Sequence, residues 1–159
     1  MANEHLVPRD SVIGPGETAP DFELPTNTFG QSWKLSDALK KGDVVLSFFP
    51  FAFTGVCGTE MSCITKDLGS LAKAGTQVVG ISADGSPSLN AWKEQLGLTQ
   101  TLLSDNFRAV CKAYGLYWAD LNVCWRGTVV IGTDGKVKWS QKREIKQAFN
   151  PEELLAHMS

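Results

Sequence analysis

The sequence predicts an α/β fold in which a central mixed β-sheet is flanked by helices and preceded by an added N-terminal β-hairpin. Three observations carry this reading. A β-branched and aromatic run at 44–49 is followed, at the distance of one helix, by a second apolar run at 78–82, and strands joined by a helical crossover lie parallel. Thr133-Asp134-Gly135 separates two further strand-like runs and signals an antiparallel hairpin. Between and after these runs, apolar residues recur at helical spacing.

Taken in order, the segments 19–24 and 32–35 alternate apolar and polar residues on either side of Asn27 and Gly30, a short hairpin. The run at 44–49 is a buried central strand that Pro50 ends. Met61, Ile64, Leu68, Leu71 and Ala72 then predict a helix over 55–74, which Gly75 stops. After the strand at 78–82, Ser86 is placed to cap the next helix, Pro87 takes its first position, Leu89, Trp92 and Leu96 share a face, and Gly97 closes it. Phe107, Val110, Cys111 and Tyr114 predict a helix that begins near 104–105 and stops at Gly115. Strands at 128–131 and 136–139 form the hairpin, and Asn150-Pro151 opens a terminal helix carrying Leu154, Leu155 and Met158. The order βαβ, helical, ββα is the thioredoxin-like plan.

The chain has 159 residues, the size of one domain, and no composition shift divides 1–159. Fifteen Lys and Arg against 17 Asp and Glu give a net charge of −2, which offers no neutralisation to a nucleic acid or an anionic membrane. The opening residues have no apolar core of a signal peptide, and the densest apolar stretch, 44–53, is too short to span a bilayer. A cytoplasmic protein is expected. His5 and His157 lie at the two ends, and the four cysteines, Cys57, Cys63, Cys111 and Cys124, form no CxxC pair. Neither structural zinc nor dithiol redox chemistry of the ordinary CxxC kind is expected, and no metal or organic cofactor is implied.

Cys57 follows the central strand and enters the first turn of the next helix. There unpaired backbone N–H groups and the positive end of the helix dipole favour a thiolate. By position alone, an inert buried thiol is nearly as good a reading. The neighbourhood changes the balance, because Pro50, Thr54 and Cys57 fit the pattern PxxxTxxC. This segment resembles the active-site motif of the peroxiredoxins. APDFEL near the start, VVGISAD after the first long helix, LLSD and KAYGL in the middle, and WRGTVVI around Arg126 agree with the family in the right order. FxFTGVC, together with GLYWADLNVCWRGT, is most similar to the alkyl hydroperoxide reductase E type. The late strand departs from the usual TFVID, reading Thr128-Val129-Val130-Ile131-Gly132.

The resemblance implies a thiol-dependent peroxidase for hydrogen peroxide and organic hydroperoxides, passing through a cysteine sulfenic acid at Cys57. It implies catalytic roles for Cys57, Thr54 and Arg126, with Pro50, Gly55 and Val56 forming the substrate pocket. The chemistry suits these residues. A thiolate attacking an O–O bond needs fixed donors for the charge that develops on the departing oxygen, and an Arg fork together with backbone N–H groups supplies them. Each residue also has a plainer reading: Thr54 as helix N-cap, Arg126 as a solvated strand residue, Pro50 as a strand terminator, and Glu60 as part of the helix start. A peroxide-sensing or chaperone-like redox interaction protein is the rival function.

Cys63 lies six residues beyond Cys57, too far along an intact helix for a disulfide. Cys111 belongs to an apolar stripe and reads as core, while Cys124, two residues before Arg126, is the remaining candidate to resolve a sulfenic acid. The external reductant is expected to be thioredoxin, a glutaredoxin-like protein or a low-molecular-weight thiol. Phe51, Phe53, Tyr117 and Trp118 suggest apolar loops around the pocket and, by resemblance, a homodimer.

Overall fold

The computed structural model describes residues 3–55, 57–59, 61–64 and 75–144. Its centre is a five-stranded sheet made of β3 (Val44–Phe48), β4 (Gln77–Ser82), β5 (Thr101–Ser104), β8 (Arg126–Ile131) and β9 (Val137–Arg143). The spatial order is β5-β4-β3-β8-β9. β3, β4 and β5 run parallel, whereas β8 is antiparallel to β3 and β9 antiparallel to β8. This is the expected mixed sheet. β3 is buried at all five positions because both faces are covered.

The predicted N-terminal hairpin is present as β1 (Glu23–Pro25) and β2 (Ser32–Lys34), with Leu24 opposite Trp33. Leu35, expected in its second strand, instead begins a short helix, α1 (Leu35–Leu39). The helical residues 55, 57–59 and 61–64 are the described part of α2, and Gly75 beyond it has φ +73°. α3 (Ser86–Leu96) ends on left-handed Gly97 as predicted, but its N-cap is Gly85 and Ser86 is already helical. The hairpin of β8 and β9 stands where the Asp134-Gly135 turn put it.

Two segments differ from expectation. The stretch read as a helix from 104–105 is β5 followed by a turn, and α4 covers only Ala109–Ala113. Leu102 and Leu103 are too short a run to reveal a strand buried against β4. Phe107, assigned to the apolar stripe, is 77% exposed on the turn before α4. A small hairpin, β6 (Tyr117–Trp118) with β7 (Val123–Cys124), occupies what looked like a loop. The expected terminal helix at 150–158 lies outside the described residues.

Strand alternation divides the core in two. Val45, Val78, Leu102 and Val130 face one cluster with Phe49, Met61, Leu89 and Trp92. Leu46, Val79, Leu103 and Val129 face the other, with Phe22, Phe48, Tyr114 and Leu116. Gly80 marks how closely α2 approaches the first face, since a Cβ there would lie 2.8 Å from Leu102 and 3.2 Å from the Met61 sulfur and from Phe49. Among the described residues, no helix is long and apolar enough to cross a membrane.

Candidate active site

Cys57 stands on α2 immediately after β3 and the loop 49–54, and its side chain is buried in the cluster that α2 and α3 cover. Across the sheet face, Arg126 opens β8 and is 1% exposed. Its Nη2 donates to the Cys57 sulfur over 3.0 Å. A guanidinium carries its charge at every accessible pH, so this contact strengthens whenever the sulfur is an anion. Two residues 69 positions apart are thus joined, and the plainer reading of Arg126 as a solvated residue is wrong.

The face beneath this pair is polar in a way the strand pattern concealed. Ser47 on β3 pairs with Thr128 on β8, and both are buried on the side of Val45 and Val130. Arg126 pairs with Arg143 on β9. Cross-strand partners share a face, so two buried guanidinium groups lie side by side. Arg143 Nη1 donates to Thr128 Oγ1 over 2.8 Å and to Gln141 Oε1 over 3.2 Å. Like charges placed opposite one another cost stability. Sequence reading missed Arg143. Its only signal was its two-residue spacing from Trp139 and Gln141, which has meaning once the register with β8 is known.

The loop from Pro50 to Gly55 holds the mouth of the site. Pro50, directly after β3, is buried. Phe53 adopts φ +64°, a conformation that costs a non-glycine residue about 1 kcal/mol and persists only where its surroundings enforce it. Asp84, just after β4, provides that enforcement: its Oδ2 accepts from the Ala52 N–H over 2.9 Å and from the Ser82 hydroxyl over 2.7 Å. The Phe53 ring meets Trp92 with 6.4 Å between centroids. Asp84 sits in the VVGISAD segment, and nothing local to that segment reveals its reach to Ala52.

Thr54 occupies the N-cap position that its plainer reading gave it. Its carbonyl accepts the Gly58 N–H over 2.9 Å, the first bond of α2, which makes it the helix's N-cap residue. Its hydroxyl donates to the Phe51 carbonyl over 2.9 Å. With that hydrogen committed, the exposed Oγ1 presents only lone pairs outward. Gly55 is exposed on the first turn. Val56 and Glu60 lie outside the described residues. A cavity of about 540 Å³ opens beside Thr54 and Gly55, walled by Phe53, Gly58, Trp92 and Cys63. A cavity of about 620 Å³ between the β1–β2 hairpin and the turn at Phe107 contains none of Thr54, Cys57 and Arg126.

The remaining cysteines lie apart from this group. Cys63 is partly exposed on α2, whereas Cys111 and Cys124 are buried in the cluster on the opposite face of the sheet. The hydrogen bond between those two thiols and their complete burial push Cys124 well above the ordinary thiol range. Burial also raises Asp105 beside them, although its carboxylate accepts from the backbone N–H groups of Val110 and Cys111.

Residues 15–140 match the AhpC/TSA family. Alkyl hydroperoxide reductase E of Mycobacterium tuberculosis is 31% identical over 135 residues, covering 84% of this chain and 88% of that protein. The chloroplastic 2-Cys peroxiredoxin BAS1 of Spinacia oleracea is 34% identical over 135 residues, or 79% of this chain and 51% of that protein. The chain therefore spans about half the length of this plant relative. Among solved structures, peroxidoxin BcpB from Mycobacterium tuberculosis superimposes with a TM-score of 0.83 at 30% identity, covering 92% of this chain and 96% of its own. AhpC of the same organism shares the fold, with a TM-score of 0.83 at 22% identity over 92% of each chain.

Proposed function

The chain belongs to the AhpC/TSA family of peroxiredoxins, and from that premise we propose that it reduces hydroperoxides with electrons from an external thiol, Cys57 being the sulfur that is oxidised. The observation that carries this reading is the 3.0 Å contact between the Arg126 guanidinium and the Cys57 sulfur, both of them buried. The Cys57 thiolate attacks one peroxide oxygen, the O–O bond breaks, and the sulfur takes up that oxygen as a sulfenic acid. The departing oxygen leaves as water or an alcohol after gaining a proton. Arg126 supplies donors for the charge that grows on the two oxygens. Thr54 Oγ1 accepts from the peroxide O–H and orients it. Pro50 excludes water, and Gly55 leaves the approach open.

The placement of the other sulfurs favours an external reductant. Cys111 and Cys124 belong to the opposite core face, and Cys63 is six residues along the same helix. One thiol then attacks the sulfenic sulfur, expelling water and forming a mixed disulfide, and a second thiol releases Cys57. Thioredoxin, a glutaredoxin-like protein or a low-molecular-weight thiol fits this role, and a cytoplasmic location suits four cysteines kept as free thiols. Phe51 and Phe53 are exposed at 38% and 55% beside the pocket mouth, which supports pairing of two copies at this end. Light scattering at micromolar concentration should give a dimeric mass, and a monomer would remove that part of the proposal.

The test of function is consumption of hydrogen peroxide and cumene hydroperoxide in the presence of dithiothreitol or a thioredoxin system, with Cys57 followed by intact mass. Turnover with one oxygen added to Cys57, trapped by dimedone, is the expected result. Oxidation confined to Cys63, or a stoichiometric internal disulfide in place of a sulfenic acid, would reject the site or the external route respectively.

A further inference from the structure

Asp105, Cys111 and Cys124 come from three separate elements, the turn after β5, α4 and β7, and converge where the peroxidase chemistry has no use for them. One carboxylate oxygen and the two sulfurs all lie within 4.8 Å of one another. All three residues are buried, at 1%, 0% and 0% exposure. A tetrahedral ion with bonds of about 2.3 Å to sulfur and about 2.1 Å to oxygen separates its ligand atoms by roughly 3.5 to 3.8 Å, so only a small inward movement is required. We infer that this cluster is a binding site for a thiophilic divalent cation of the zinc and cadmium class, with Asp105, Cys111 and Cys124 as its protein ligands.

Two features of the surroundings fit a cation. Asp105 is already held by the Val110 and Cys111 N–H groups at 3.2 and 2.8 Å, which fixes the carboxylate toward the sulfurs as an outer shell does. The Arg108 carbonyl, 3.3 Å from Cys111 Sγ and accepting its S–H, is a fourth donor atom at the same place. Binding replaces two S–H bonds by two metal–sulfur bonds and sends two protons to solvent. Two thiolates and a carboxylate then face a doubly charged ion, and the Arg108 side chain beside Asp105 offsets the remaining negative charge. Arg108 also links two of the elements around the cluster. It has φ +61°, and its side chain donates to the Asn106 and Asn122 carbonyls, so it ties the turn before α4 to the β6–β7 hairpin. A bound ion would pin β7 to α4, and β7 runs through Trp125 directly into Arg126.

The experiment uses the full chain as the Cys57→Ser, Cys63→Ser variant, in which Cys111 and Cys124 are the only sulfurs from cysteine. Titration with cadmium under anaerobic, reducing conditions is followed by sulfur-to-metal absorption, native mass spectrometry and cadmium X-ray absorption. One ion per chain, two sulfurs in its shell and two protons released per ion are expected. Adding Cys124→Ala should weaken binding by about tenfold or more, and Asp105→Asn should weaken it while leaving both sulfurs bound. Wild-type protein provides a second reading that does not depend on the variants' folding: in sub-denaturing urea, cadmium should slow alkylation of Cys111 and Cys124 relative to Cys63. Failure to bind, a shell with one sulfur, or protection confined to Cys57 and Cys63 would overturn the site. None of these outcomes bears on peroxide turnover at Cys57.

Discussion

The two faces of the central sheet each bury a thiol beside a charged group, and the charges have opposite signs. On one face Cys57 meets the guanidinium of Arg126. On the other, Cys124 meets Cys111 and the carboxylate of Asp105. Burial is nearly equal, at 1% for Cys57 and 0% for Cys124, so exposure does not distinguish them. The neighbour does: the Cys57 sulfur accepts from a guanidinium, while the hydrogen bond with Cys111, burial and the nearby carboxylates hold Cys124 in its protonated form.

Exchanging sulfur for oxygen on each face breaks the comparison most sharply. Cys57→Ser should abolish peroxide turnover with the circular dichroism spectrum unchanged, because a hydroxyl supplies no anion at neutral pH. Cys124→Ser should keep the rate within about fivefold of wild type, the change of a site that touches no reacting atom. Equal losses in both would mean that the opposite face takes part in the chemistry.

The charge itself comes next. Arg126→Lys preserves the sign but loses the fork, and a fall in kcat/KM of about a hundredfold, near 2.7 kcal/mol, is expected from the loss of one well-placed set of donors. Stopped-flow kinetics with hydrogen peroxide measures it, and a loss below threefold would remove Arg126 from the site.

Asp84→Ala tests positioning without touching the charge. It releases the Ala52 N–H and the Ser82 hydroxyl, and a roughly tenfold slower reaction with peroxide is expected from a misplaced loop. Alkylation of Cys57 by iodoacetamide should change much less. Parallel losses in both reactions would indicate a general structural role.

The smallest effect is one of pH, in metal-free protein. Cys124 is raised in the fold, so above about pH 8.5 the unfolded chain ionises this thiol first and stability falls as pH rises. Urea midpoints between about pH 7 and 10 should decline less steeply for Cys124→Ala than for wild type. The cavity left by the variant lowers the curve by about 1 kcal/mol without changing its slope. Parallel slopes would mean that Cys124 ionises as easily folded as unfolded.

How far these faces were legible in the sequence depended on whether the signal was local. β3, the α3 helix with its Gly97 stop, the β8–β9 hairpin and the spacing of Pro50, Thr54 and Cys57 are each set within a dozen residues, where propensity and turn chemistry act. β5 and the β6–β7 hairpin were missed because strands of four and two residues carry too little periodicity. Arg143, Asp84 and the Asp105 cluster were invisible for a different reason. Each owes its role to a partner on another element, and a single sequence does not record register. Ser47 shows the same limit, since a break in an apolar run gives no sign that Thr128 lies across from it.

β8 lies between β3 and β9, and this order has a consequence for how the chain is made. A ribosome finishes Cys57 well before Arg126, and at about 5 to 20 residues per second the interval is roughly 3 to 14 s. During that interval Cys57 has no guanidinium, and β3 has one edge waiting for a strand not yet synthesised. The nascent protein therefore carries an ordinary cysteine through the period when it is least protected. On the function proposed above, its reaction with peroxide gains the Arg126 donors only when β8 closes that edge.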